Sequence, residues 1–262
     1  MTQKILYIFF FLISLNLSAQ YGQSIDVSDA LQAALDIRTS GVKIVKDYVY
    51  KGLKSGFVSK ETDNNLSSGE RALLTLEIYA ADHPEIQKDL NQLKTSWKKL
   101  RILALQKPDR KKMNDMLNRL EVFLNTSDKI INDIKNTSNI STIDYQEASN
   151  SMELLAQQLT LLYALNVAGI QNDKLKDEME RCKIDFQKNL DKTFYSGENT
   201  IDISNALKKV QADWEMSKRT LEKDSQEQLL NTLYVMMNKI SEESRKAANL
   251  YQQKAKEKLR KN

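Results

Sequence analysis

The side chains that most often carry enzyme or metal chemistry are scarce in this sequence. It has one histidine, His83, and one cysteine, Cys182, far apart along the chain. Hydrolytic or metal chemistry needs clustered histidine, cysteine and carboxylate groups. The sequence also lacks a glycine-rich phosphate loop and a nucleophile elbow. It therefore predicts a protein that is not an enzyme and has no catalytic residue, metal ion or cofactor.

The histidine and the cysteine each have an ordinary structural interpretation. His83 precedes Pro84 in an expected turn, where a solvated or capping histidine is commoner than a catalytic one. Cys182 shares the apolar spacing of Met179 and Phe186, so we expect a small buried side chain. Because a lone cysteine cannot form an internal disulfide, the apolar core must hold the protein together.

The apolar pattern of the chain occurs twice. Aligning Trp97 with Trp214 pairs three further positions at one constant offset: Ile86, Leu90 and Leu93 with Ile203, Leu207 and Val210. A second block, residues 117–125, matches residues 230–238 at a slightly different offset. Such self-similarity indicates one supersecondary unit used twice. We therefore predict two domains, residues 20–140 and residues 141–262.

Each copy is predicted to contain four helices. Apolar residues recur at alternating spacings of three and four, which places them on one stripe of each helix. Both prolines, Pro84 and Pro108, fall at expected helix starts, and residues 136–139 form a polar stretch between the copies. The predicted fold class is all-α, with two tandem four-helix-bundle-like units of long up-down helices. We expect these helices to close two similar cores.

The first residues predict the compartment. Lys4 is followed by an apolar run, and the small residues Ser18 and Ala19 come next, which is the order of a secretory signal peptide. We predict a signal peptide at residues 1–19 and an exported protein, periplasmic or secreted after cleavage. The alternative is an uncleaved segment that tethers the chain to a membrane. The apolar run is shorter than the roughly 20 residues that a spanning helix needs.

Charge is balanced along the chain. The sequence has 39 Lys and Arg against 35 Asp and Glu, a formal net charge of +4. Both signs are mixed throughout, unlike the concentrated basic face of a nucleic-acid-binding protein. We therefore expect no nucleic acid partner.

The first helix of each copy carries a family resemblance. Residues 38–48 read RTSGVKIVKDY and residues 153–163 read ELLAQQLTLLY. These stretches resemble the motif GRQRMLSQRM of the PilJ-type domain, the extracytoplasmic module of type IV pilus chemotaxis transducers, which is related to the sensory domain of NarX-type nitrate sensor kinases. Residues 85–97 and 202–214, each with an acid, an isoleucine and a tryptophan, are also similar to that family.

The resemblance implies a candidate ligand site. In the nitrate sensors an arginine of the motif holds the anion at a dimer interface, and Arg38 corresponds to it here. Copy two has Glu153 at that position, which would repel an anion. Lys43 and Gln157 match other polar residues of the motif. The resemblance thus implies Arg38, Lys43 and Gln157 as ligand-binding residues, a small anion as ligand, and a homodimer if the site lies between two first helices.

Two functions remain open from the sequence. The first is an exported, non-enzymatic helical sensory or ligand-binding module that recognises a small anion. The alternative is a cell-envelope interaction or scaffold protein that binds a protein partner through its helical rods. The sequence does not identify the ligand or the partner.

Overall fold

The computed structural model of this protein describes residues 25–53, 61–170, 173–223 and 227–261. The predicted signal peptide, residues 1–19, lies outside the described residues. The described part contains eight α-helices, a short 3-10 helix at Pro84–Ile86 and no strand. The helices are α1 Val27–Leu53, α2 Thr62–Ala80, α3 Gln87–Ala104, α4 Arg110–Asn136, α5 Ser141–Val167, α6 Asp173–Phe194, α7 Ile201–Leu221 and α8 Glu227–Leu259. The all-α prediction is confirmed. Within these residues we find no helix with the length and apolar character of a membrane span.

The helix ends follow the local signals in the sequence. Pro84 occupies the start of the 3-10 helix that leads into α3. Asp109 precedes α4 in an extended conformation, and its carboxylate accepts a hydrogen bond from the backbone N–H of Lys111. Thr200 caps α7 in the same way through the backbone N–H of Ile203. The breaks predicted from proline and polar residues therefore separate helices at the expected places.

The eight helices form two tandem four-helix units, α1–α4 and α5–α8. In each unit the first helix packs against the second and the fourth, and the third packs against the fourth. The pairs Arg38 with Asp128 and Tyr48 with Asp109 show that α1 and α4 run antiparallel, because one number rises as the other falls. This is the up-down arrangement of an antiparallel bundle.

The two tryptophans occupy equivalent surroundings in the two units. Trp97 is buried, and its indole N–H donates to Oε1 of Glu70 at 2.9 Å. Trp214 is also buried and donates to Oε1 of Gln187 at 3.0 Å. In both units the acceptor lies 27 residues before the tryptophan. The tryptophans are core residues, and each uses its one polar atom within its own unit.

The first helices of the two units pack against each other. Polar pairs join α1 to α5, and the partner's number rises with the residue's own: Ser28 with Gln146, Gln32 with Asn150, Arg38 with Ser151, Lys43 with Glu153 and Lys46 with Gln157. The two helices are therefore parallel. In α1, 20 of 27 residues are buried, and in α5, 19 of 27 are buried.

This burial differs from the single apolar stripe expected for each helix. The first helices are covered on nearly every side, since each contacts helices of its own unit and also the first helix of the other. The buried apolar side chains consequently form one core that continues through both units, rather than the two separate cores expected. The bounds of the two domains remain a prediction.

Candidate functional site

Charged side chains from α1, α5 and α8 meet around one buried carboxylate. Glu153 of α5 is 1 % exposed and accepts hydrogen bonds from Nζ of Lys43 at 2.8 Å and from Nε of Arg245 at 3.0 Å. Arg245 also pairs with the carboxylate of Asp36 at 3.1 Å. Burial raises the pKa of the Asp36 carboxyl, and the charge of Arg245 opposes that rise. Two acids and two bases thus form a charge-balanced cluster that links the units.

A second polar group lies one turn further along α1. Nζ of Lys46 donates to Oε1 of Gln157 at 2.6 Å and lies 4.3 Å from the ring centre of Tyr234. The amide nitrogen of Gln157 donates to Ser241 at 2.6 Å and to Asn238 at 3.2 Å. Burial lowers the pKa of Lys46 to about 8, although the nearby charge of Asp47 raises it. Lys46 is therefore a buried base held largely by neutral groups.

Arg38 lies on the other side of α1, where it faces α4. Its Nη1 donates to the carboxylate of Asp128 at 2.6 Å, and its Nη2 donates to Oγ of Ser151 at 3.3 Å. The side chain of Arg38 is buried, whereas that of Asp128 is 50 % exposed. Nε of Arg38 is buried and has no hydrogen-bond partner among the described residues. Most buried N–H groups have a hydrogen-bond partner, so the Nε atom of Arg38 is an exception.

A cleft of about 700 Å³ opens between α4, α5 and α6. Its floor is apolar and consists of leucines from all three helices: Leu117, Leu120 and Leu124 of α4, Leu161 and Leu162 of α5, and Leu175 of α6. Asn118, Asn125 and Asp128 line it with polar atoms from α4. Asp128 is also the partner of Arg38, so this acid links the cleft to a guanidinium that is not itself part of the cleft lining.

The structure places the three predicted site residues along the α1–α5 contact, but it does not bring them to one site. Lys43 is paired with Glu153, and Gln157 is enclosed by α8. Arg38 is linked to the cleft by its contact with Asp128, a residue outside the motif. Asp128 does carry a signal, since it stands four residues after Leu124 in a core-spaced position. Arg245 gives no comparable signal.

The histidine and the cysteine have the surroundings expected of structural residues. His83 stacks on the ring of Tyr79 and contacts the carboxylate of Glu85 through Nδ1 at 3.0 Å. Cys182 is buried, and desolvation raises the pKa of its thiol to about 12, with a further contribution from Glu178. Where the chain is described, His, Cys, Asp and Glu form no group of three or more that could hold a metal ion.

Comparison of the chain with protein-family models, with curated proteins and with solved structures finds no match. The resemblance to the PilJ-type domain therefore stays a prediction that rests on the motif residues.

Proposed function

We propose that this protein is an exported, non-enzymatic sensory or ligand-binding module whose ligand is a small organic anion. The site is the cleft between α4, α5 and α6. The observation that carries this proposal is the buried Arg38, whose Nε lacks a partner among the described residues and whose counterion Asp128 is half exposed. The resemblance to extracytoplasmic sensory domains supports the same class of function.

Asp128 and a bound anion would compete for the same guanidinium. Because Asp128 is half exposed, its carboxylate is readily hydrated when it leaves Arg38, and an incoming anion would take over the charge of the buried guanidinium. Guanidinium binds carboxylates through two parallel hydrogen bonds, so a ligand that engages Nε and one Nη atom would use the donor that Asp128 leaves free. The anion would thus gain more from Arg38 than Asp128 does.

The leucine floor favours an anion that has an apolar part. A cleft of about 700 Å³ lies within the range of small-molecule sites, roughly 300 to 1,000 Å³. Contact with Leu124, Leu161 and Leu162 would bury apolar ligand surface, worth about 25 cal/mol per Å². Carboxylates with an aliphatic or aromatic body therefore fit the cleft better than nitrate or nitrite.

The test is calorimetric titration of the mature protein with a panel of small carboxylates, with nitrate and with nitrite. Asp128→Asn removes the competing charge and keeps the shape, so it should strengthen carboxylate binding about two- to tenfold. Arg38→Gln should abolish that binding. Circular dichroism checks that both variants are folded. Equal affinity of all three proteins for a bound carboxylate would refute the site.

A specific observation also favours the alternative of an interaction protein in the cell envelope. Lys43 and Gln157 hold the two units together, which leaves neither free to recognise a small ligand. If neither the wild-type protein nor Asp128→Asn binds any anion of the panel, this alternative becomes the better proposal.

A further inference from the structure

The turn between α3 and α4 carries a concentrated positive charge. Between residues 98 and 112 the sequence has seven Lys or Arg and a single acid, Asp109. Five of these lysines are exposed: Lys98, Lys99, Lys107, Lys111 and Lys112. Asp109 is already used, because its carboxylate caps α4. The even mixture of charges along most of the chain does not hold at this segment, which we name the basic turn, residues 98–112.

Two large apolar side chains project from the same turn. Ile102 is 48 % exposed and Leu105 is 63 % exposed, whereas their neighbours Leu100 and Ala104 are buried in the core. Single exposed apolar residues are common on protein surfaces. Two of them within one helical turn, surrounded by lysines, form an amphipathic tip that combines positive charge with apolar surface.

The equivalent turn of the second unit has neither property. The offset that aligns Trp97 with Trp214 places Arg219 at the position of Ile102 and Glu222 at that of Leu105. Between residues 215 and 227 the chain has three basic and four acidic residues. The fold of the unit therefore does not require an exposed apolar pair or a net positive charge at this turn.

The basic turn is also fixed in place. The hydroxyl of the buried Tyr48 donates to the carbonyl of Lys107 at 3.3 Å and accepts from the backbone N–H of Asp109 at 3.0 Å. This double contact ties the turn to α1. Ile102 and Leu105 are consequently presented to solvent by an anchored segment and need no rearrangement to meet a partner.

We propose that the basic turn docks this protein onto the surface of an anionic lipid bilayer. Lysines near such a surface each strengthen binding about fivefold. Apolar side chains at the centre of the lysines can enter the boundary between headgroups and acyl chains. A lipid surface fits better than an acidic protein, because the apolar pair stands on a projecting turn and a membrane accepts apolar groups without a matching pocket.

The experiment measures sedimentation of the mature protein with lipid vesicles. Vesicles of equal parts phosphatidylcholine and phosphatidylglycerol should bind the protein, and binding should weaken steeply with added salt. Vesicles of phosphatidylcholine alone should not bind it. The double variant Ile102→Ser/Leu105→Ser keeps every charge and should bind the mixed vesicles at least about tenfold more weakly. Lys111→Gln/Lys112→Gln should also weaken binding by about tenfold or more.

The second unit supplies a matched control. Met216 is 60 % exposed on α7, the helix equivalent to α3, and Met216→Ser should leave vesicle binding unchanged. Absence of vesicle binding by the wild-type protein would overturn the proposal. So would unchanged binding by Ile102→Ser/Leu105→Ser together with full competition by soluble polyglutamate, which would assign the turn to an acidic polymer. The test uses no residue of the cleft, so it is independent of the anion-binding proposal.

Discussion

Replacing Lys46 with methionine should remove a pH dependence of stability from this protein. Burial lowers the pKa of Lys46 from 10.5 to about 8 in the folded chain. Below pH 8 the lysine is protonated in both folded and unfolded chains, and the full cost of burying the charge is present. Between pH 8 and pH 10.5 the unfolded chain holds the proton and the folded chain releases it, so the free energy of unfolding rises with pH.

The size of the effect follows from the shift. One pKa unit corresponds to about 1.4 kcal/mol, so the lowered pKa contributes up to roughly 2 kcal/mol between about pH 7 and about pH 9.5. Lys46→Met has no proton to release and should lack this rise. Desolvation raises the pKa of buried tyrosines such as Tyr251, which lowers the free energy of unfolding at high pH. This effect is the same in both proteins. The comparison of the two proteins therefore isolates Lys46.

The measurement is urea unfolding followed by circular dichroism at several pH values from about 7 to about 9.5. The difference in unfolding free energy between the wild-type protein and Lys46→Met should change by about 2 kcal/mol over that range. Lys208→Met removes an exposed lysine of α7 and should follow the wild-type curve. Parallel curves for the wild-type protein and Lys46→Met would refute the lowered pKa of the buried Lys46.

Two further substitutions test the packing. In Gly69→Ala a Cβ atom would lie 2.3 Å from the ring of Trp97, so we expect the free energy of unfolding to fall by about 1–3 kcal/mol. Gly197→Ala is the control, because its Cβ would meet no atom within 4 Å beyond the neighbouring residues. Equal urea midpoints of the two variants would contradict the close approach at Gly69. Glu153→Gln removes a buried carboxylate that pairs with two partly exposed cations, and it should lower the free energy of unfolding in urea by about 3–5 kcal/mol. Glu121→Gln, in an exposed pair, should cost less than about 1 kcal/mol. Similar losses in both variants would mean that the cluster is solvated.

The positions of the helices could be predicted from the sequence because their signals are local. Pro84 and Pro108 each mark a helix start, and the repeat carries the pattern of the first copy over to the second. The burial of α5 also had a local signal. Residues 154–165 are apolar on nearly every side of the helix, and such a helix is normally enclosed by protein. The prediction of one stripe for every helix overlooked this difference.

The contacts of the site could not be predicted in the same way. Asp128 and Arg38 are 90 residues apart, and Arg245 and Glu153 are 92 residues apart. Such pairs depend on how the helices pack, which the spacing of apolar residues within one helix does not specify. The motif pointed to α1 and α5, but the partners come from α4 and α8. The sequence therefore indicated the helices of the site without indicating how its charges are neutralised.

The contact between α1 and α5 bears on the homodimer that the resemblance implies, in which the first helices of two chains would face each other. Ser28 meets Gln146 and Gln32 meets Asn150 at an offset of 118 residues. The same offset aligns Ile25, Asp26 and Ala30 with Ile143, Asp144 and Ala148, at the start of the two copies of the repeat. Equivalent positions that face each other are related by a local twofold axis, so the starts of α1 and α5 pair as in a symmetric dimer, whereas the offset falls to 110 for Lys43 with Glu153.

The sequence differences between the two copies favour the contact between α1 and α5 of the same chain. Lys43 of α1 faces Glu153 of α5, so the two first helices have opposite charges at their contact. Two α1 helices from separate chains would lack Glu153, because the motif aligns Arg38 with it, and Lys43 would then meet a like charge, which is unfavourable in a buried contact. The contact between two first helices is therefore made within a single chain, and the complementary charges favour that arrangement over the same contact between two copies.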